Sequence, residues 1–306
     1  MALFSIIVAL ILEQIKPFAQ GRYVALPLKR YALFLEDRFN DGEARHGTVA
    51  WVIGVLLPTV AMLLVQWLLF AFEPEWALLL NVGVLYLTMG FRQFSHFFND
   101  IHLALRMGEL DRARKLLGQW RGHDVAADQL SSNEVARLAI EEALVASHRY
   151  VFAPLLWFIV AGPAGALFYR LGLVFCEQWK RPAHGDFGRW AVRAFALIDW
   201  LPARISAAAF AVVGDFEDAV FCWRTQAVSW PDAASGIILA SGAGALGVRL
   251  GAPISDAGGL LERPELGLGD DADPDFMRSA IGLVWRTMVL CLLLLALFWV
   301  ASWVGA

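Results

Sequence analysis

Charged side chains inside otherwise apolar segments are the residues of this sequence that could take part in chemistry. Asp199 and Arg204 lie in one apolar stretch, and Arg170 follows the glycine-rich residues 162–165. Charged groups in such segments face protein or water rather than lipid. The aspartate and the arginine can therefore bind a substrate or form a structural ion pair. Arg170 can likewise pair within the protein or bind an anionic head group.

A literal GxGxxG sequence occupies residues 242–247, and Arg249 follows it. A dinucleotide site needs a strand before the glycines, a helix after them and an acid about 20 residues further on. Pro253 would end such a helix early, so close packing of helices by small residues is the favoured use. An anion bound by backbone N–H groups beside Arg249 is the alternative.

Glu141 and Glu142 lie on a helix whose start is predicted at Ser131, because Ser131 and Glu134 form a capping box. Arg137 lies four and five residues before the two glutamates, a spacing that favours surface ion pairs. These charged residues are therefore expected on a solvated helix face.

The elements that position these residues are expected to be membrane helices. The chain has 306 residues, of which 58% are hydrophobic and 18% charged, whereas soluble domains average about 25% charged residues. Residues 48–72 and 281–306 are long enough to cross a bilayer, since about 20 apolar residues span the hydrocarbon core. The sequence predicts an all-α polytopic membrane protein with about four transmembrane helices, membrane-dipping helices and a cytoplasmic helical region.

The chain is predicted to have five parts. They are three transmembrane spans with a basic cytoplasmic loop (1–91), a cytoplasmic helical region (92–150), re-entrant or membrane-associated helices (151–251), a loop (252–280) and a final transmembrane helix (281–306). A hairpin that turns at residues 162–165 is favoured over a full crossing, because it keeps the following basic residues on the cytoplasmic side. The expected location is a bacterial inner membrane.

The net charge argues against a nucleic-acid partner, and the spacing of the cysteines argues against a metal site. The formal net charge is -4 and the chain lacks a basic tract, so a nucleic-acid partner is not expected. Cys176, Cys222 and Cys291 are far apart without a CxxC motif, and no metal site is expected from them.

Several motifs of the sequence resemble the CobD/CbiB cobalamin-biosynthesis family. They lie at residues 108–114, 122–124, 152–156, 162–170, 199–204, 244–251 and 263–267, in the order the family has them. The resemblance implies an inner-membrane protein that attaches aminopropanol, or its phosphate, to cobyric acid by an amide bond. ATP and Mg²⁺ would then be cofactors, and a corrinoid would be a ligand.

The resemblance also adds candidate ligand-binding residues. Asp111 and Asp124 lie within family motifs, and Glu141 matches a retained family acid. The complete set of candidates is Glu141, Arg170, Asp199, Arg204, Arg249, Asp111 and Asp124. No catalytic residue is assigned.

The sequence departs from the family at two polar blocks. Val145, Ala146 and Arg149 replace a Glu-Asn-x-x-Asp block, and residues 173–176 replace an Asn-Thr-Leu-Asp stretch. Activation of a carboxylate by ATP needs charge stabilisation by metal or basic groups. The replacements remove candidate groups for that purpose.

The first two thirds of the sequence also resemble AmpE, a sister membrane protein associated with β-lactamase induction signalling. The resemblance lies in residues 11–16, 150–157 and 199–204. We therefore expect a non-synthase accessory or signalling member of the superfamily, with a membrane or cytoplasmic protein partner. The alternative is a divergent adenosylcobinamide(-phosphate) synthase.

Overall fold

A computed structural model of the chain describes residues 2–15, 24–122, 130–180, 186–256 and 259–304. The α-helices in these residues are α1 (Ala2–Ile15), α2 (Leu26–Phe39), α3 (Ala44–Trp51), α4 (Leu57–Phe72), α5 (Pro74–Thr88), α6 (Phe91–Arg106), α7 (Leu110–Arg121), α8 (Ser132–Ser147), α9 (Ala153–Trp179), α10 (Arg189–Val213), α11 (Phe216–Gln226), α12 (Ala233–Leu246) and α13 (Pro274–Val304). The strands are β1 (Val248–Gly251), β2 (Ile254–Asp256), β3 (Gly259–Leu261), β4 (Glu265–Leu266) and β5 (Asp270–Asp271). Short π-helical turns join α3 to α4 and α8 to α9.

The described part of the chain contains four helical segments long and apolar enough to cross a membrane. They are Ala44–Phe72, Ser132–Trp179, Arg189–Val213 and Pro274–Ser302. Large apolar side chains on them, such as Leu57, Trp67 and Phe298, are more than half exposed, as expected of residues that face lipid. The predicted all-α polytopic membrane protein is confirmed.

The molecule consists of two compact units. The first comprises Met1–Phe91 and Tyr150–Pro202, and the second comprises Arg92–Arg149 and Ala203–Ala306.

In the first unit, α9 is broken at Ala161 and Gly162, where the backbone leaves the helical region. The rings of Trp157 and Phe168 lie 5.3 Å apart between centroids, although a straight helix would separate these positions by about 16 Å. The apolar segment that contains α9 is therefore a helical hairpin rather than one straight rod. Whether this hairpin re-enters the membrane stays a prediction.

Aromatic side chains dominate the core of the first unit. Phe175 packs edge-on against Tyr31 at 5.8 Å and against Trp179 at 4.8 Å. Trp179 also donates a hydrogen bond to the carbonyl of Ala32 at 3.2 Å. These contacts join α2 to the second arm of the α9 hairpin.

In the second unit, α8 begins as the sequence predicts. The Ser131 hydroxyl accepts from the Glu134 N–H at 3.3 Å, and the Glu134 carboxylate accepts from the Ser131 N–H at 2.7 Å. The capping box is therefore confirmed.

Short strands follow α12. β1 lies at the end of the region 151–251, which was predicted as re-entrant or membrane-associated helices, and β2 to β5 lie in the region 252–280, which was predicted as a loop. β1 pairs with β4 in antiparallel register and with β5 in parallel register, which gives the order β4–β1–β5. β2 and β3 form a separate antiparallel pair. The sequence pattern does not reveal these strands because each has only two to four residues.

Candidate ligand-binding site

A polar cavity of about 230 Å³ lies in the second unit, between the first turns of α8 and the β4–β1–β5 sheet. Its polar and charged lining residues are Asn133, Glu134, Arg137, Arg249, Glu265 and Asp271. Pockets for drug-sized ligands measure roughly 300–1,000 Å³. The cavity therefore suits a smaller molecule.

Two arginines of the cavity have hydrogen-bonding capacity to spare. Nε and Nη2 of Arg137, and Nε of Arg249, are buried and have no hydrogen-bond partner. The remaining donors of Arg249 face Asp271, at 3.0 Å, and Glu265, at 3.7 Å. A buried donor without a partner costs about 1–3 kcal/mol, and more when it is charged.

Glu141, on α8, binds strand β1, which contributes residues to the cavity. Its carboxylate accepts from the Gly251 N–H at 2.9 Å and from Nη1 of Arg263 at 2.6 Å. Both charged side chains are less than one tenth exposed. Arg263 also donates to the carbonyls of Gly251 and Ala252. Glu141 therefore positions the strand that carries Arg249.

Arg137 does not form the surface ion pairs that its spacing predicts. Glu141 is bound by Arg263, and a carboxylate oxygen of Glu142 lies 3.2 Å from Nε of Arg121. The prediction was wrong because partners distant in sequence replace the local one. Arg137 lines the cavity instead.

Two predicted site residues lie in the first unit. Asp199 is buried and accepts a hydrogen bond from the Tyr169 hydroxyl at 2.9 Å. Arg170 is also buried, with its guanidinium carbon 4.5 Å from the centre of the Tyr150 ring. Such cation–π contacts stabilise an arginine by about 0.5–2 kcal/mol. Neither residue is among those that line the cavity.

The other predicted residues lie apart from the cavity or outside the described part of the chain. Asp111 is exposed on α7 and pairs with Arg114 at 2.9 Å. Arg204 is partly buried on α10, in the second unit. Asp124 lies outside the described residues. Of the seven candidates, Arg249 lines the cavity and Glu141 supports it.

Sequence reasoning did not assign a ligand role to Arg137, Arg263, Glu265 or Asp271. Arg263 and Glu265 lie in a motif that resembles the family, which was a usable signal. Arg137 and Asp271 carry no such signal. They meet at the cavity because α8 and the strands pack together across more than 100 positions of the sequence.

Residues that replace the family's polar blocks have structural roles in this protein. Leu173, Val174 and Phe175 are buried in the core of the first unit. Arg149 instead donates to Asp232 at 3.1 Å and to Ser235 at 3.2 Å in the second unit. None of these residues lines the cavity.

The glycine-rich residues 242–247 do not fit the phosphates of ATP, the cofactor implied by the family reaction. Gly242 and Gly244 are buried within α12, where a Cβ would collide with Leu144 and with the backbone of Asp218. A phosphate-binding loop must instead present its backbone N–H groups to the ligand. Close helix packing by small residues is confirmed.

Comparison with known proteins shows similarity over nearly the whole chain. Residues 7–284 match the family described as CobD/Cbib protein. A cobalamin biosynthesis protein CobD of Stutzerimonas stutzeri (strain A1501) is 35% identical over 297 residues, which cover 95% of this chain and 96% of that protein. One from Chromobacterium violaceum is 35% identical over 235 residues, 75% of each chain. No solved structure matches the chain.

These findings correct one prediction and confirm another. They do not support the AmpE-like, signalling character expected from the first two thirds of the sequence. The family resemblance is confirmed, because the match covers three of the four described apolar helical segments in full, the start of the fourth, the α9 hairpin and the cavity. This multi-pass membrane protein belongs to the CobD/CbiB family.

Proposed function

We propose that the protein is an adenosylcobinamide(-phosphate) synthase of cobalamin biosynthesis. It would join a carboxyl group of cobyric acid to the amine of aminopropanol, or of its phosphate, with loss of water. The observation that carries the proposal is the 35% identity, over 95% of the chain, to a relative named cobalamin biosynthesis protein CobD.

The cavity supports this proposal through its size and its charges. About 230 Å³ suits the small amine and is too small for a corrinoid. Arg137 and Arg249 bring positive charge to the lining for an anionic group, while Glu265 and Asp271 bring carboxylates for an ammonium group. The chain's own residues would thus bind and orient the amine that attacks the activated carboxyl group.

The replaced polar blocks are compatible with the proposal. The buried residues 173–175 and the Arg149–Asp232 pair stabilise helices, whereas the charged groups of the cavity come from other positions. Loss of those blocks therefore leaves the cavity intact. This argument favours synthesis over the accessory role expected from the sequence.

The proposed setting is a bacterial inner membrane, with the lipid bilayer as one partner and a corrinoid as a ligand. The positive-inside rule orients the basic segments towards the cytoplasm, where the corrinoid and the amine would be supplied. The α9 hairpin would enter and leave the membrane on that same side. The four apolar helical segments supply the membrane attachment.

Complementation of a bacterial strain that lacks its own synthase tests the proposal. With cobyric acid supplied, the gene should restore cobalamin-dependent growth to about the level given by the strain's own synthase gene. Cobinamide should restore growth with or without the gene, which controls for the later steps. Absence of growth on cobyric acid, with the protein present in the membrane fraction, would contradict the proposal.

A further inference from the structure

The last helix, α13, consists of two parts that differ in burial. The first part packs against α8 in the second unit, where Leu283, Val284 and Met288 are buried. In residues 289–302, by contrast, every side chain is at least partly exposed. Helical residues 287–304 extend over roughly 27 Å, close to the thickness of about 30 Å of a hydrocarbon core. The second part is therefore the portion of α13 that lies in lipid.

Arg286 lies at the junction of the two parts, next to Trp285, and both side chains are exposed. A charged side chain is costly inside the hydrocarbon core. At the level of the lipid head groups, tryptophan is enriched and the long side chain of arginine reaches water. Trp285 and Arg286 therefore mark the level at which α13 enters the bilayer.

Two hydrogen bonds hold the guanidinium of Arg286 in place. Nε donates to the Gly282 carbonyl at 3.2 Å, and Nη1 donates to the Val213 carbonyl at 2.9 Å. Val213 ends α10, and the carbonyls at the end of a helix attract a positive charge. Nη2 forms no hydrogen bond with the residues that the structure describes. The guanidinium is thus fixed, with one nitrogen left for a ligand.

The acids that follow Val213 in sequence leave the charge of Arg286 uncompensated. The Asp215 carboxylate caps α11 by accepting from the Asp218 N–H at 3.1 Å. Within the described ranges, neither Asp215 nor Glu217 forms an ion pair with Arg286. A positive group therefore remains exposed at the head-group level.

Helix α11 starts soon after Val213 and carries an exposed apolar and basic face. Phe216 and Phe221 are more than half exposed. Arg224 is also exposed and lies on the same face, because about 3.6 residues make one helical turn. Exposed aromatic and basic side chains are typical of a helix that lies at a membrane surface. The Val213–Arg286 hydrogen bond places the start of this helix near the level at which α13 enters the bilayer.

We propose that the end of α10, the start of α11 and the middle of α13 form a binding site for an anionic phospholipid. Arg286 donates to the lipid phosphate, while Phe216 and Phe221 enter the head-group layer. The acyl chains lie along the exposed residues 289–302, which continue directly from Arg286. This site is independent of the proposed synthase reaction.

Lipid titration of the purified full-length protein in detergent, followed by native mass spectrometry, tests this inference. The probes are phosphatidylglycerol, which is anionic, and phosphatidylcholine with the same acyl chains, which has no net charge. The wild type should bind phosphatidylglycerol more tightly. Arg286→Gln should weaken that binding by roughly 5-fold, as expected for one basic group at an anionic membrane surface, and should change the affinity for phosphatidylcholine less.

Two further variants and one competitor make the result specific. Arg286→Lys keeps the positive charge, so most of the preference for phosphatidylglycerol should remain. Arg112→Gln, at an exposed arginine of α7 that pairs with Glu109, is the matched control and should leave both affinities unchanged. Inorganic phosphate at the concentration of the lipid should not displace it, because the acyl chains contribute to binding.

Equal wild-type affinity for the two lipids, or an unchanged preference in Arg286→Gln, would overturn the inference. An equal loss in Arg286→Lys and Arg286→Gln would assign Arg286 a purely structural role at the end of α10, and displacement by inorganic phosphate would exclude a lipid as the ligand. If Arg286→Gln melts below the wild type, the salt dependence of the wild type decides the matter. Its preference for phosphatidylglycerol should then fall as the salt concentration rises, and a preference that does not change with salt would contradict the proposal.

Discussion

Glu141 shows how one buried carboxylate organises the candidate site. It accepts hydrogen bonds from the backbone of Gly251 and from Arg263, which itself binds two carbonyls of the β1 segment. The ring of Trp230 lies 5.5 Å from the Arg263 guanidinium carbon. These contacts hold the strand that carries Arg249, so Glu141 fixes the position of one residue that lines the cavity.

Substitution of Glu141 by Gln should lower the free energy of unfolding by about 3–5 kcal/mol, because it leaves a buried arginine without its counter-charge. The measurement is thermal unfolding in detergent micelles, followed by tryptophan fluorescence. Glu262→Gln, at a nearby exposed acid, should melt like the wild type. Equal melting temperatures for the two variants would show that the Glu141–Arg263 pair contributes little.

Residue-level prediction from the sequence succeeded where a local pattern carried the information. The capping box of α8 needs only Ser131 and Glu134, and it forms as expected. The partner of Glu141 could not be predicted, because Arg263 lies 122 positions away. The role of Arg137 was hidden for the same reason, since its local acids take other partners.

The α9 hairpin illustrates how backbone chemistry shapes an element. Gly162 adopts a φ of +62°, which side chains rarely allow, and Pro163 follows it. Gly165 then lies so close to Trp157 that a Cβ would collide with the Trp157 carbonyl oxygen. The two arms of the hairpin can therefore pack closely.

Replacement of Gly165 by Ala should destabilise the protein by roughly 1–3 kcal/mol, because the added methyl group must displace backbone. Gly282→Ala is the matched control, since its Cβ would enter open space on α13. That variant should be neutral or more stable by up to about 1 kcal/mol. Melting temperatures of both variants in detergent check the prediction, and a Gly165→Ala protein as stable as Gly282→Ala would contradict the hairpin packing.

The sequence predicted a turn at residues 162–165, and the chain reverses there. Glycine and proline are reliable local signals of a break in a helix. The strands β1 to β5 gave no comparable signal, because alternation over two to four residues cannot be distinguished from an irregular loop. Their pairing depends on α8 and on Arg263, which only the folded chain brings together.

At the scale of the whole molecule, the apolar composition predicted the membrane helices, and the order of the motifs predicted the family. The long apolar helices and the family membership are both confirmed. The expected loss of synthase function was inferred from replaced polar residues, yet residues 173–175 are core positions. A sequence cannot reveal by itself whether a lost polar group had lined a site or supported a helix.

Reporter fusions test the proposed topology of the chain. A fluorescent protein fused after Lys180, at the end of the hairpin, should fluoresce, because the hairpin returns the chain to the cytoplasm. Alkaline phosphatase at the same position should be inactive, and fusions after Glu73 should behave in the opposite way. An active phosphatase after Lys180 would mean that the segment crosses the membrane.

Formation of the amide product by the purified protein tests the central proposal most directly. The full-length protein in detergent would be incubated with adenosylcobyric acid, aminopropanol phosphate, ATP and Mg²⁺, and the corrinoids analysed by mass spectrometry. The proposal predicts a product whose mass equals that of the two substrates minus one water. Unchanged cobyric acid, with a folded protein and an active reference synthase in parallel, would contradict it.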